Sequence, residues 1–215
     1  MRRRPYTPIE RQKAVDAGRE RILTAARQLL DDQGGEGFSV DAVARRAGVS
    51  RMTVYNQFES KARLLEALFD SLASRGPISQ MSAVFAAPNP REALDEFIAV
   101  LGRFWTYSRR AHDRLGAAAS QDAELAAAIA GRNERRRQGI TELVRRLSKD
   151  IKPVVPRDEV VNLLFVLLSF QNFDAIAGKD RTPTDIVPLM QRTVHALLGL
   201  SDKPRPRAKR SASRS

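Results

Sequence analysis

Arg51, Met52, Thr53, Tyr55 and Asn56 crowd one short run directly after Gly48 and Ser50. Arginine can offer two parallel donors to a guanine edge, and threonine can touch a thymine methyl or a base edge. Tyrosine and asparagine can bond phosphate oxygens, which fixes register without reading sequence. The chemistry works only if these side chains stay outward on one helix while its other side is buried. Ser50 can cap such a helix, and Val54 and Phe58, four residues apart, can bury its inner face. Spacing alone leaves an ordinary helical hairpin as open as a nucleic-acid reader.

Little else in the chain could do chemistry. There is no cysteine, so disulfides, thiolate nucleophiles and thiolate metal sites are excluded. The two histidines, His112 and His195, lie in unrelated segments, and no Gly-rich phosphate loop or metal-ligand spacing is present. No catalytic residue, no metal site and no cofactor is therefore expected; a small helical enzyme is the alternative of another class.

The formal charge of +12 over 215 residues also points to nucleic acid, but its distribution weakens the point. Arg2, Arg3, Arg4, Arg11 and Lys13 stand against Glu10 in a basic arm, residues 1–13. Lys203, Arg205, Arg207, Lys209, Arg210 and Arg214 stand against Asp202 in a basic tail, residues 201–215. The body between is only mildly basic. A non-specific architectural DNA-binding protein would fit the charge as well. No apolar h-region follows the N-terminal arginines, and the run from Val160 to Phe170 is too short for a bilayer. A cytoplasmic protein with no membrane partner is expected.

The positioning elements read as all-α: alanine, leucine and arginine are abundant and alternating β-branched runs are missing. About nine helices are expected. Ile22, Ala25, Ala26, Leu29 and Leu30 form one face of a first helix from about Arg19, ended by Gly34 and Gly35, while Pro5 and Pro8 keep the arm flexible. Ser39 caps a short second helix, with Ala44 small where helices cross. Gly48 takes the turn, and Val43, Ala47, Val49, Val54 and Phe58 face inward. A linking helix from Ser60 ends at Arg75-Gly76-Pro77, so residues 14–75 read as one domain and 76–200 as a second. A short helical piece is expected from Met81 to Phe85. Asn89 caps a long helix with Pro90 at its first position. Another helix spans about 122–149, with a polar middle whose basic run Arg132, Arg135, Arg136 and Arg137 reads as solvated surface or, alternatively, as favouring an anionic ligand. The last two helices are expected at about 157–177, apolar nearly all round, and 184–200.

Taken together, residues 19–70 resemble the N-terminal domain of the TetR (tetracycline-repressor-like) regulators. The resemblance rests on Phe38-Ser39, Ala44 through Ser50, Thr53-Val54-Tyr55, Phe58, Ser60-Lys61 and Leu64-Leu65. It implies a three-helix helix-turn-helix domain followed by a larger helical domain for effector binding and dimerisation. Arg51, Met52 and Thr53 would then contact bases, and Ser39, Tyr55, Asn56 and Lys61 would contact phosphates. Ser39 and Lys61 stand at helix N-termini, where free amides favour an anion. Three positions depart from the family pattern: Met52 replaces a small residue, Gln57 a histidine and Ala62 a glutamate.

The implied partners are double-stranded operator DNA, a second copy of the chain and a small-molecule effector. The implied function is a repressor on a palindromic operator, released by that effector. Pocket candidates are Phe104, Trp105, Tyr107, Phe165, Ser169 and Phe173. Dimer candidates are Val160, Leu164, Leu167 and Gln171 on one helix, and Ile186, Met190, Val194 and Leu197 on the last.

Overall fold

A computed structural model describes residues 8–32, 38–119 and 122–200. Among these residues the structure is all helical, without strands. The order is α1 (Pro8–Asp31), α2 (Val40–Ala47), α3 (Arg51–Phe58), α4 (Lys61–Arg75), a 3-10 turn (Pro77–Gln80) and α5 (Met81–Ala86). It continues with α6 (Pro90–Tyr107), α7 (Arg109–Ala119), α8 (Ala123–Arg146), α9 (Arg157–Leu167), α10 (Phe170–Ala177) and α11 (Val187–Leu198). Residues 201–215, the expected basic tail, and Gly34 and Gly35 lie outside the described residues.

The expected arm is partly helix. Helix α1 reaches back to Pro8, because proline in a first turn lacks only an N–H that the helix does not use. Asn89 caps α6 as expected: its side chain accepts from Arg91 N and Glu92 N, with Pro90 next in line. Sequence periodicity did not reveal α7. Its inner face has few apolar side chains, Ala111 and Leu115, on an otherwise polar and alanine-rich turn sequence.

The expected apolar helix at 157–177 is two. Ser169 stops α9 and caps α10, accepting from Asn172 N at 3.3 Å, and the two axes bend by 58°. Among the described residues no single helix is long and apolar enough to cross a membrane. The bent pair instead drives Val160, Leu164, Leu168, Phe170 and Phe173 into the core.

There are two cores. The first holds α1–α4 and is closed by Ala111 and Leu115 of α7 and Leu125 of α8. The second joins α5, α6, the C-terminal half of α8 and α9–α11. Helix α8 thus serves both: Leu125 lies in one, and Ile140 and Leu143 lie in the other.

Burial reverses most of the expected dimer set. Val160, Leu164, Ile186, Met190 and Val194 are buried in the subunit's own second core, where no second chain could reach them. Leu167 and Leu197 are half-buried against it, and only Gln171 is exposed. The apolar side chains left outward are their helix neighbours: Leu163 and Val166 on α9 and Leu189 on α11.

Gly102 lets α6 and α11 approach closely. A Cβ there would lie 2.3 Å from Val187 Cγ2 and 3.2 Å from Pro183 O. Gly102→Ala should therefore cost about 1–3 kcal/mol of stability by overpacking. Urea unfolding checks this, and an unchanged midpoint would mean that the contact has room to spare.

Candidate nucleic-acid interface and interior cavity

The turn between α2 and α3 is built from local hydrogen bonds. Ser39 accepts from Ala42 N at 3.1 Å and so starts α2. Gly48 adopts φ 66 and ψ 36, a left-handed conformation that costs a side-chain-bearing residue energy. Its N–H reaches Arg45 O at 3.2 Å, and Val49 N–H reaches Ala44 O at 3.0 Å. This paired closure is a Schellman motif, and it fixes where α3 begins. Ser50 then accepts from Thr53 N at 3.0 Å. Val43, Val54 and Phe58 are buried beneath the turn, with Ala47 and Val49 packed partly against them.

What α3 presents outward is Arg51, Met52 and Asn56, with Thr53 and Tyr55 half-exposed. Met52 is 66% exposed, high for an apolar side chain. The Arg51 guanidinium bonds Asp41 at 3.2 Å and the Tyr55 hydroxyl at 3.3 Å. Tyr55 and then Asp41 raise its pKa, so it is a permanent cation. The Thr53 hydroxyl lies 2.8 Å from that of Ser50. Arg19 braces the other end of α3, donating to Gln57 O at 2.9 Å with its guanidinium 4.3 Å from the Phe58 ring centre.

Lys61 is differently employed. At the start of α4, its ammonium pairs with Asp122, the residue whose side chain caps α8 by accepting from Leu125 N. That hydrogen bond from Lys61, with the Leu125 N–H, holds the Asp122 carboxyl below its ordinary range. Two further contacts tie head to body. Arg114 of α7 donates to Leu29 O at 3.3 Å, and Arg132 of α8 donates to Glu66 O at 3.1 Å while pairing with Asp70. A phosphate at Lys61 would compete with Asp122 for the same ammonium.

An apolar cavity of about 420 Å³ lies between the head and the body. Phe69 and Leu72 of α4 form one wall. The remainder comes from the 3-10 turn, α5–α10 and residues beside them, including Phe104, Trp105, Phe165 and Ser169. Those four were expected there. Tyr107 and Phe173 are not in the lining: Tyr107 points outward beneath Arg27, and Phe173 is fully buried against the α6–α11 contact at Gly102. A wider cleft of about 590 Å³ lies at α1, α3 and α4, but charged side chains such as Arg19, Glu20, Glu59 and Arg63 rim it.

His112 and Arg136 also line the cavity; the sequence offered Arg136 only as part of a basic run, and His112 as a surface or packing residue. His112 stands among Phe104, Trp105 and Phe170, with ring centres 4.8 Å apart for Trp105 and 4.9 Å for Phe170. Its Nδ1 lies 3.1 Å from Ser108 O, so Nδ1 carries the proton and Nε2 a lone pair. Arg136, from the polar middle of α8, also lines the cavity. The signal was its place on the stripe through Ile129, Ile140 and Leu143, at helical spacing.

Residues 22–68 match the model of "Bacterial regulatory proteins, tetR family". The head is thus similar to the DNA-binding domain of that family. Over 92 residues, 41% of this chain and 42% of the relative, it is 37% identical to the HTH-type transcriptional regulator EthR of Mycolicibacterium smegmatis. Over 82 residues, 38% of this chain and 40% of the relative, it is 34% identical to the HTH-type transcriptional regulator BetI of Rhizobium meliloti. The match thus spans about two fifths of these relatives' length. Beyond the matched head the likeness is one of fold. A TetR transcription regulator from Haloarcula marismortui superposes with a TM-score of 0.64 at 16% identity, covering 86% of this chain and 97% of that one.

Burial sets the charge state of the cavity histidine. Burial first, and Arg136 after it, bring the His112 pKa down from 6.5 to about 4, against the Ser108 carbonyl, which raises it. Below pH 6.5 the unfolded chain takes up a proton that the folded one refuses until about pH 4. The stability this confers is intact above 6.5 and is lost as pH falls toward 4, by roughly 3 kcal/mol at about 1.4 kcal/mol per pKa unit. His112→Gln should flatten the stability–pH curve across that window, measured by denaturant unfolding at a series of pH values. Parallel curves would show that His112 titrates freely.

Proposed function

We propose that this chain is a ligand-responsive transcriptional regulator, a cytoplasmic repressor that binds a palindromic operator as a homodimer and is released by a small-molecule effector. One observation carries the reading: α4 follows directly on the reading helix and also walls the cavity through Phe69 and Leu72. A ligand that shifts this wall shifts the head. The likeness of the head to the tetR family supports DNA as partner, and the relatives that share it are described as transcriptional regulators, so no catalytic role is proposed.

On the operator, Arg51, Met52 and Thr53 meet bases, while Ser39, Tyr55, Asn56 and Lys61 meet phosphates. Arg51 arrives already held by Asp41 and Tyr55, and trades the Asp41 carboxylate for a guanine edge. Arg51→Ala should weaken operator binding by about 1–3 kcal/mol and relax the preference at one base pair. Lys61→Ala should weaken all sequences alike and reduce the salt slope by about 1. Footprinting and salt titration on the DNA beside the protein's own gene check both. Equal affinity for random duplex would favour a non-specific architectural role instead.

A palindrome calls for two heads, about 34–36 Å apart or a multiple of that. The outward apolar side chains Leu163, Val166 and Leu189 support a dimer face on α9 and α11, with Gln171 and the half-buried Leu167 and Leu197 beside them. Leu163 does not line the cavity, so Leu163→Glu isolates the interface. Sedimentation should show the variant as a monomer with an intact fold; an unaltered dimer would move the interface elsewhere.

A further inference from the structure

Four arginines follow the polar turn of α8, and three of them are occupied. Arg132 pairs with Asp70 and donates to Glu66 O, Arg135 lies 3.8 Å from Asp70, and Arg137 donates to Asn162 at 2.7 Å. Arg136 is different. Its guanidinium lies 4.4 Å from the Phe165 ring centre and 5.7 Å from that of Trp105, and its Nε is buried without a hydrogen-bond partner. Among the described residues no carboxylate pairs with it, and no carboxylate lines the cavity. Burial, and then Arg137, lower its pKa to about 10, so it remains a cation at neutral pH.

A half-buried cation with no paired carboxylate is costly, and pairing offsets that cost. The aromatic faces of Phe165 and Trp105 supply part of the compensation and leave Nε without a partner. The cavity wall also carries the rings of Phe97, Phe104 and Phe170. The other titratable groups that line the cavity are Arg132, Arg135 and His112, and His112 is neutral. An apolar chamber with one unsatisfied guanidinium fits a ligand that is apolar at one end and singly anionic at the other. The ring edges favour a planar aryl body over a flexible chain.

We propose that the cavity takes an aryl carboxylate, its carboxylate on the Arg136 guanidinium and its ring system between Phe104, Trp105 and Phe165. The proposal rests on the effector reading given above for this cavity. Trp105 is the only tryptophan in the chain and lines the cavity, so its fluorescence reports occupancy.

Naphthoate and its neutral isostere naphthamide are the probes, titrated against the full chain. Naphthoate should bind about 10- to 100-fold tighter than naphthamide, the span expected for one charge-assisted hydrogen-bonded pair. Arg136→Gln should abolish that preference, bringing the affinities for naphthoate and naphthamide together. Equal affinity for acid and amide in the unaltered protein overturns the proposal without recourse to any variant. So does a preference that survives Arg136→Gln. Octanoate, with the same charge and no ring, should bind more weakly, and equal or tighter octanoate binding overturns the aryl assignment.

A parallel operator-release assay separates the two readings. Naphthoate binding with no effect on DNA would sink the effector role and leave the ligand class standing. Release by an uncharged ligand that quenches Trp105, with naphthoate inert, would do the reverse.

Discussion

The head of this protein cannot close its own core. Helices α1–α4 bury Ile22, Ala26, Leu64, Leu65 and Leu68 against one another, but Leu115 and Leu125 complete the cluster, and both belong to the body. Hydrophobic burial acts wherever the surface is removed from water, regardless of domain boundaries. A domain limit at Arg75 therefore divides the sequence better than it divides the structure. The consequence is mechanical. Moving α7 or the first turns of α8 exposes apolar surface of the head unless α1 and α4 follow. The hydrogen bonds from Arg114 to Leu29 O and from Arg132 to Glu66 O add direction to that non-directional packing.

Charge is used in two separate ways. On α3 it faces water, where Arg51 rests on Asp41 and the Tyr55 ring, pairs that are individually weak because solvent screens them. Such a pair holds a side chain ready without holding it fast, as suits a group meant to change partner. Arg136 represents the opposite regime. It is partly withdrawn from water, stacked on the Trp105 and Phe165 rings with Arg137 nearby and, among the described residues, no carboxylate paired with it. The net charge that first suggests nucleic acid bears on neither group in particular.

The turn was legible because its determinants are local. Ser39, Gly48 and Ser50 act within four residues of themselves, as does Asn89, so residue type and spacing suffice to find them. Features set by long-range packing were not. Helix α7 has too few apolar positions to show a period, and Ser169 breaks an apolar run that hides its capping role. The outward face of α9 and α11 was inverted for a related reason. In a helix apolar on nearly every side, sequence does not tell which side its own subunit covers, and here Val160 and Leu164 are covered while Leu163 and Val166 are not. Tyr107 and Phe173 fell outside the cavity because aromatic type alone does not say which way a helix turns.

Lys61 shows how the two halves of the proposed function meet in one side chain. Its position at the N-terminus of α4 suits a phosphate, since the free amides of the first turn lie at the same end. In the structure its ammonium is held by Asp122, whose other oxygen caps α8. One ammonium cannot fully satisfy both anions. If Lys61 holds a phosphate as proposed, binding DNA would weaken the hold on the start of α8, and firmer seating of α8 would weaken the hold on DNA. Linkage of this kind is reciprocal, whichever partner arrives first. The cavity lies along the same helix, between Ile129 and Gly139. A ligand seated there would bear on the middle of the helix whose first turn Asp122 caps, and a phosphate at Lys61 would bear on that cap.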